Sequence, residues 1–462
     1  MNLHLKSPNL LNKLVSDELL PLTGAQKNVW FHQQLDLLAA GYNIGYCVHL
    51  EGPLDLDRLM AAQELLLKQF EALRCVFVEI DGEPFQKILA YQDPLFSMWD
   101  LRANSGSHAP EKIQNLLNTQ FTEPFSLDSG PCVRFGLIRV SDTKSIWTFV
   151  AHHLVVDGYG LSSCLKYLTD AYARPLKSSA PSISWVNTIN ADLQFQSSSE
   201  WVSAKDYWHK VLEGLANPIS LSGAPLNQQP IVPKIRSVYL EEENFQVLSN
   251  IGFELCGARY PVFSAAFMLY LARLSGLSDI CIGMPASARN KDSRGAVGIL
   301  TNTLPLRLRF EETDTLSGLM QALSGQLRQG FKYIQYPLNQ IVQERRLHGQ
   351  EAPFGVTVNL IDFSLAPHFG DTVGMLDYEG VGPTSDLSLL IFANEKGRPV
   401  RLSLQFNPEA YSESEIDAHL ERFRAFLLRL PEYLEAPIAT IPITTPDERT
   451  ALLAASAGPV VD

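Results

Sequence analysis

Trp147-Thr148-Phe149-Val150-Ala151-His152-His153-Leu154-Val155-Val156-Asp157-Gly158-Tyr159-Gly160 is the stretch on which the reading of this chain turns. An apolar run ends in two adjacent histidines. Four residues after the second come Asp157 and Gly158, the residue pair of a sharp turn. A helical pattern begins after Gly160. A loop between a strand end and a helix start commonly displays reactive groups. A histidine there can take a proton from an attacking amine, alcohol or thiol, because its unperturbed pKa lies near neutrality. A lone histidine at a strand end reads as a buried, hydrogen-bonded structural group. The full spacing with Asp-Gly, in a strand–loop–helix setting, favours chemistry instead.

Around this stretch the pattern alternates between strands and helices. Strands are expected at 44–50, 73–80, 84–88, 135–140 and 145–152, and helices at 56–70, 110–121 and 162–172. Thr23 is placed to cap a helix running through Trp30. Asp81-Gly82 reads as a hairpin turn. The polar, Pro-containing run 174–184 is the best boundary. Helical patterns follow at 185–213. A second α/β pattern runs from about 235 to about 435. It has strands near 236–241, 279–284, 303–309, 355–360, 386–394 and 400–407, and helices near 261–275, 315–329 and 413–430. The expected organisation is an arm at 1–20, a first lobe at 21–175, a second at 176–440, and a polar linker at 441–462.

Composition bounds the function. The chain has 462 residues, with 46% hydrophobic and 19% charged, which is ordinary for a globular protein and excludes a mainly disordered one. A net charge of −13 offers no basic field for nucleic acid. The cysteines at 47, 75, 132, 164, 256 and 281 form no CxxC and no His cluster accompanies them. They read as buried thiols of a reducing compartment, and no metal site is expected. No apolar run reaches the length of a membrane span, and no signal-peptide core is visible. A soluble, cytoplasmic protein without a membrane partner is expected.

His152-His153-x-x-x-Asp157-Gly158 resembles the signature of condensation domains of nonribosomal peptide synthetases, members of the chloramphenicol-acetyltransferase-like superfamily. Four further pieces stand in the family's order. Thr23-Gly24-Ala25-Gln26 with Trp30 resembles S-x-A-Q-x-x-x-W, and Glu71-Ala72-Leu73-Arg74 with Phe77 resembles H-E-x-L-R-x-x-F. Pro124-Phe125 with Leu127, Gly130-Pro131 and Arg134 resembles P-F-x-L-x-x-G-P-x-x-R. Gly283-Met284-Pro285 with Arg289, then Gly298 and Asn302-Thr303-Leu304-Pro305-Leu306-Arg307, resembles G-x-P-x-x-x-R…G-x-x-x-N-T-x-P-L-R. Each piece is weak alone; five in order are strong.

The resemblance implies an α/β (α+β) fold of two chloramphenicol-acetyltransferase-like lobes in a V with a central substrate tunnel. It implies amide formation between an acyl thioester and the amino group of an aminoacyl carrier protein. Both substrates ride on phosphopantetheine, with no permanently bound cofactor. His153 would take or orient the amine proton. Gly158 would leave room for the reacting carbonyl and lend its N–H. His152 and Asp157 would be structural within the site, Arg289 the cation for Asp157, and Asn302 and Ser385 possible tunnel-lining residues. Gln26, Trp30 and Arg74 read as packing and hydrogen bonding. Arg345-Arg346-Leu347-His348 reads as a surface turn, with contact to a pantetheine phosphate as the sharper alternative.

Departures bear on the donor. The family's H-Q-D-x-P-F-E and R-D-x-S-x-x-P segments are eroded around Gln335–Gln340 and Pro353–Asn359, and Gly382–Leu387 is short. These losses resemble the enterobactin-type and starter branches, which take a non-amino-acid acyl donor. The start at Met1, about 20 residues before the first motif, leads to the same expectation, a donor arriving in trans. Ile441–Arg449 resembles the linker before an adenylation domain. The expected function is thus a starter condensation domain of lipopeptide biosynthesis, with fatty acyl-CoA favoured as donor. An aryl, acyl or peptidyl donor on a separate carrier is the alternative. A free-standing acyltransferase lacks its D-F-G-W-G here, a heterocyclising relative replaces the histidines with aspartates, and an epimerase sits after a carrier. A docking domain that recruits tailoring enzymes usually loses the second histidine.

Overall fold

The computed structural model describes residues 19–34, 40–103, 109–174, 183–222, 233–362, 367–379, 382, 384, 386–393 and 399–456. Nearly all of the expected arm, and Ser385, lie outside these residues. The chain forms two compact units. Unit 1 comprises 1–201, 287–302 and 365–383; unit 2 comprises 202–286, 303–364 and 384–462. The expected boundary at 176 is therefore displaced: unit 1 continues through the next helix and takes two later segments.

The first half carries β1 (Leu20–Pro21), α1 (Gly24–Gln33), β2 (Asn43–Glu51), α2 (Leu56–Gln69), β3 (Cys75–Ile80), β4 (Glu83–Ile88), β5 (Leu95–Asp100) and α3 (Ala109–Thr122). β6 (Val133–Arg139), β7 (Lys144–His152), α4 (Gly158–Ala173), α5 (Trp185–Gln196) and α6 (Ser199–Val211) follow. The second half begins with β8 (Lys234–Leu240), α7 (Glu242–Cys256), α8 (Tyr260–Ser275), β9 (Asp279–Ser287), β10 (Thr301–Arg309), α9 (Leu316–Gly330) and α10 (Leu338–Leu347). It ends with β11 (Val356–Ile361), β12 (His368–Phe369), β13 (Thr372–Glu379), β14 (Leu387–Phe392), β15 (Val400–Phe406), α11 (Glu413–Arg429) and α12 (Pro446–Ser456).

Unit 1 is built on a sheet of order β12-β13-β2-β7-β6-β5. β13, β2, β7 and β6 pair antiparallel, and β5 joins parallel to β6. A small sheet, β1-β4-β3, carries the Asp81-Gly82 hairpin. Asp81 and Gly82 there have φ of 53° and 83°, the pair of positive angles that a tight two-residue hairpin needs. The core includes Trp147, Phe135 and Phe149, whose rings stack between strands. Val297, Ile299 and Phe369 from the later segments join it. Unit 2 has a sheet of order β10-β9-β11-β14-β15-β8, in which β11 runs parallel to β9 and β14.

Four elements differ from the sequence reading. The acidic run Glu241–Glu243 opens α7, where carboxylates favour the helix N-terminus. Arg345 is buried in α10 rather than in a surface turn, and its Nε donates to Glu351 O at 2.8 Å. The polar tail contains α12, fixed by Arg422, whose Nη2 meets Glu448 Oε1 at 2.6 Å. All six cysteines are free thiols, but Cys256 is only half-buried. Among the described residues no single helix is long and apolar enough to cross a membrane.

Candidate active site

β7 delivers the two histidines and α4 receives the chain after them. The register pairs Asn43 with His152. The His153 N–H then donates to Tyr42 O at 2.8 Å, the residue just before β2 begins. The side chains alternate as on any strand, so the two imidazoles diverge.

His152 turns into the core. Its Nδ1 accepts from the Leu154 N–H at 3.2 Å, which leaves Nε2 as the donor to Gln33 Oε1 at 3.1 Å. Burial, with His153 and Arg134 nearby, pushes its pKa down to about 3, so the ring is neutral at physiological pH. Phe125 stands edge-on to it at 6.3 Å and lies under the Arg134 guanidinium at 3.9 Å. The Pro-Phe…Arg piece of the sequence therefore forms one wall of the His152 pocket.

His153 is half-buried, and its Nδ1 is shut off from solvent. Burial lowers its pKa below the ordinary histidine value. The Asp157 carboxylate and the carbonyls of His153 and Val156 pull the other way without overcoming it. The imidazole is therefore held as a free base near neutral pH.

Asp157 is fully buried and caps α4 by accepting from the Gly160 N–H at 2.8 Å. Arg289 grips it in a fork: Nη1 to Oδ2 at 2.7 Å and Nη2 to Oδ1 at 2.9 Å. The Leu300 N–H and the Thr301 hydroxyl each donate to Oδ2 at 2.9 Å. Burial alone would raise the carboxyl, but the Arg289 guanidinium and the backbone donors outweigh it and hold it below its ordinary value. Arg289 also donates to Ala296 O at 3.1 Å and Gly298 O at 3.1 Å, and lies over the Tyr159 ring at 4.6 Å. A bidentate, desolvated pair of this kind fixes geometry.

Gly158 is half-buried in the first turn of α4, where helix N–H groups have no intrahelical acceptor. Asn302 is half-buried on β10, one residue beyond Thr301. His152, His153, Asp157, Gly158, Arg289 and Asn302 all belong to unit 1. Sequence reasoning missed Gln33, Thr301 and Gly160. A Cβ on Gly160 would lie 2.7 Å from Val156 Cγ2 and 3.2 Å from Asp157 Oδ1. The Gly-x-Gly after Asp157 was the available signal for that last position.

The Glu71 and Gln26 pieces prove to be wiring. Glu71 Oε2 accepts from the Trp185 N–H at 2.7 Å and so holds the start of α5. Gln26 Nε2 donates to Leu154 O at 3.2 Å, inside the histidine turn.

A mixed α/β unit that presents a half-buried, neutral imidazole beside an aspartate-anchored helix start can take a proton from an attacking nucleophile, as acyl transfer requires. The chain belongs to the condensation-domain family, whose sequence profile matches residues 16–453. It is 28% identical over 421 residues to enterobactin synthase component F of Escherichia coli K12, covering 88% of this chain and 32% of that protein. It is 25% identical over 436 residues to a dimodular nonribosomal peptide synthase of Bacillus subtilis 168, covering 93% of this chain and 18% of that protein. The chain thus spans less than a third of these relatives. A variant of the starter condensation domain of rhizomide synthetase, in complex with C8-CoA, matches with a TM-score of 0.83 and 26% identity, over 94% of this chain and 100% of that one. Condensation domains of nonribosomal peptide synthetases form amide bonds, act on phosphopantetheine-bound substrates and need no metal.

Proposed function

We propose that this chain is a starter condensation domain. It joins an acyl thioester, fatty acyl-CoA favoured, to the amino group of an aminoacyl carrier protein. The observation that carries the chemistry is the His153 ring, kept neutral by burial with Nδ1 closed off. This leaves Nε2 to meet the substrate. The amine nitrogen bonds to the thioester carbonyl carbon, the amine proton passes to His153, the C–S bond breaks, and His153 returns that proton to the departing sulfur, which leaves as the pantetheine thiol. The Gly158 N–H, at the positive end of α4, stabilises the oxyanion between these steps. His152 and Asp157 act as supports, and Arg289 fixes Asp157.

Similarity to a starter domain crystallised with C8-CoA, across the whole of that chain, supports the acyl-CoA donor. A second reading takes the acyl group from a separate carrier protein, which the resemblance of the eroded motifs to the enterobactin-type branch favours. An adenylation domain as neighbour and a cytoplasmic location belong to the same proposal.

The test incubates the domain with an aminoacylated carrier and panels of acyl-CoAs and acylated carriers, and reads the carrier by intact mass. Amide should form with acyl donors. His153→Ala should lower its rate by about 10²-fold or more with the fold intact. His152→Ala should instead lower the melting temperature. Efficient use of carrier-bound aminoacyl donors, with both acyl panels ignored, would overturn the starter reading. A His153→Ala variant as fast as wild type would overturn the mechanism.

A further inference from the structure

We propose that Gln86 is a positioning residue for the His152–His153 turn. It is the midpoint of a buried path, hydrogen-bonded except for one packing contact of the Trp185 ring, that joins the two anchors of that turn. The proposal rests on the reading of His153 as the group that meets the amine.

The first anchor is Leu154, directly after His153. Its N–H goes to His152 Nδ1, and its carbonyl accepts from Gln26 Nε2 at 3.2 Å. Gln26 and Gln86 then pair amide to amide. Gln26 Nε2 donates to Gln86 Oε1 at 3.0 Å, and Gln86 Nε2 donates back to Gln26 Oε1 at 2.8 Å. The remaining valences are also filled. Gln26 Oε1 takes the Thr23 N–H at 3.0 Å, and Gln86 Nε2 donates to Pro21 O at 2.9 Å. Gln86 Oε1 takes the indole N–H of Trp185 at 3.0 Å. The Trp185 ring packs on Gly298, where a Cβ would fall 2.2 Å from Cζ3. Gly298 O accepts from Arg289 Nη2, and Arg289 holds the second anchor, Asp157.

Gln26 and Gln86 have no measurable exposure, and Trp185 is 1% exposed. Burying two amides stabilises little by itself, because their bonds replace bonds to water. A fully satisfied polar network in a core acts mainly by fixing one geometry. Here the fixed geometry is that of the turn bearing His153. Gln86 touches neither histidine, so its effect on the reaction passes through Gln26 and Trp185.

The test uses Gln86→Met, similar in shape but without polar ends. The His153 imidazole is followed by NMR titration, its resonance assigned by its loss in His153→Ala, with His419 of unit 2 as control. In wild type the His153 midpoint should lie below the ordinary value, because burial disfavours the charged ring. In Gln86→Met it should rise toward about 6.5 as the turn loosens and water enters, while His419 stays fixed. With the acyl donor that wild type turns over best, kcat should fall about 10-fold or more while the acceptor KM changes by less than about twofold. In a His153→Ala background, Gln86→Met should cost no further rate. If Gln86→Met fails to fold, Trp185→Phe removes only the indole donor and should move the same readouts in the same direction. A lowered melting temperature with an unmoved His153 midpoint and unchanged kcat makes Gln86 merely structural and overturns the proposal. Full turnover by His153→Ala would remove the reading of His153 instead, and the titration would still decide whether Gln86 holds the turn.

Discussion

Asp157 and Arg289 should behave as one unit in a double-mutant cycle. The perturbations are Asp157→Asn, Arg289→Gln and the pair together. Asp157→Asn leaves the Arg289 guanidinium, 4% exposed, without its anion, and places an NH2 among donors from Arg289, Leu300 and Thr301. Breaking a buried pair from one side costs about 3–5 kcal/mol, and the added donor conflict sets the expectation at about 4 kcal/mol. Arg289→Gln strands the carboxylate, but Gly160, Leu300 and Thr301 still donate to it. That places its cost at the lower end, about 3 kcal/mol. The double variant removes both charges and leaves only imperfect neutral contacts. It should cost about 4 kcal/mol, which makes the coupling about 3 kcal/mol. The assay is urea unfolding at pH 7, read by tryptophan fluorescence, since Trp147 and Trp185 are buried in unit 1. A pH series adds a sign. The folded-state pKa of Asp157 is held below its unfolded value of about 3.9. Its stabilising contribution is therefore present above that value and disappears as the pH falls through the folded one. Asp157→Asn should remove this acid-side loss. Additivity of the two substitutions to within about 0.5 kcal/mol would refute the argument that Arg289 neutralises Asp157.

Two further predictions concern other buried groups. Burial pushes Asp386 up to about 6, against hydrogen bonds from Tyr411 at 2.6 Å and Ser220 at 3.2 Å, so the folded state binds this proton more tightly than the unfolded one. The Asp386 contribution, read in urea as wild type minus Asp386→Asn, should be greatest below about pH 4, fall by about 3 kcal/mol toward pH 6 and then level off; a slope that survives in Asp386→Asn would assign the proton elsewhere. Gly298 has φ of 152°, and a Cβ there would meet Trp185 at 2.2 Å. Gly298→Ala should therefore cost about 3 kcal/mol in urea unfolding, and a melting curve unchanged from wild type would contradict the packing described.

What was legible in the sequence was local or marked by charge. The His-His…Asp-Gly turn could be read because strand end, turn and helix start lie within fourteen consecutive residues, from Trp147 to Gly160. Asp157 announced a need for a cation, since a buried carboxylate without one is expensive; the motif resemblance supplied Arg289, and the fork between them is in the structure. Gln86 could not be read. Between Phe85 and Lys87 in a short hairpin strand it looks like an ordinary solvent-facing position, and only Gln26 and Trp185 make it interior. β13 was missed because its partner is β2, more than three hundred residues earlier in the chain. α7 is absent from the expected helices, although Glu242 and Glu243 in its first turn are residues that helix starts favour.

The same distances show how the site is assembled. Asp157 and Arg289 are 132 positions apart in sequence, yet both sit in unit 1 with every other described histidine-turn contact. The segment 287–302 leaves the sheet of unit 2 at the end of β9, supplies Arg289, Val297, Gly298 and Ile299 to unit 1, and returns at β10. The segment 365–383 adds β12 and β13 to the edge of β2. A chain divided at 176 would leave β2 as an open edge. It would also bury Asp157 without its cation and leave the face of Trp185 without Gly298. The imidazole of His153 owes its fixed surroundings to residues translated long after it. Contacts of such sequence separation form late, because loop-closure entropy opposes them until the partners arrive. The Asp157 anchor of the histidine turn is therefore complete only when segment 287–302 has docked, so the geometry proposed for the reaction and the integrity of unit 1 depend on the same contacts.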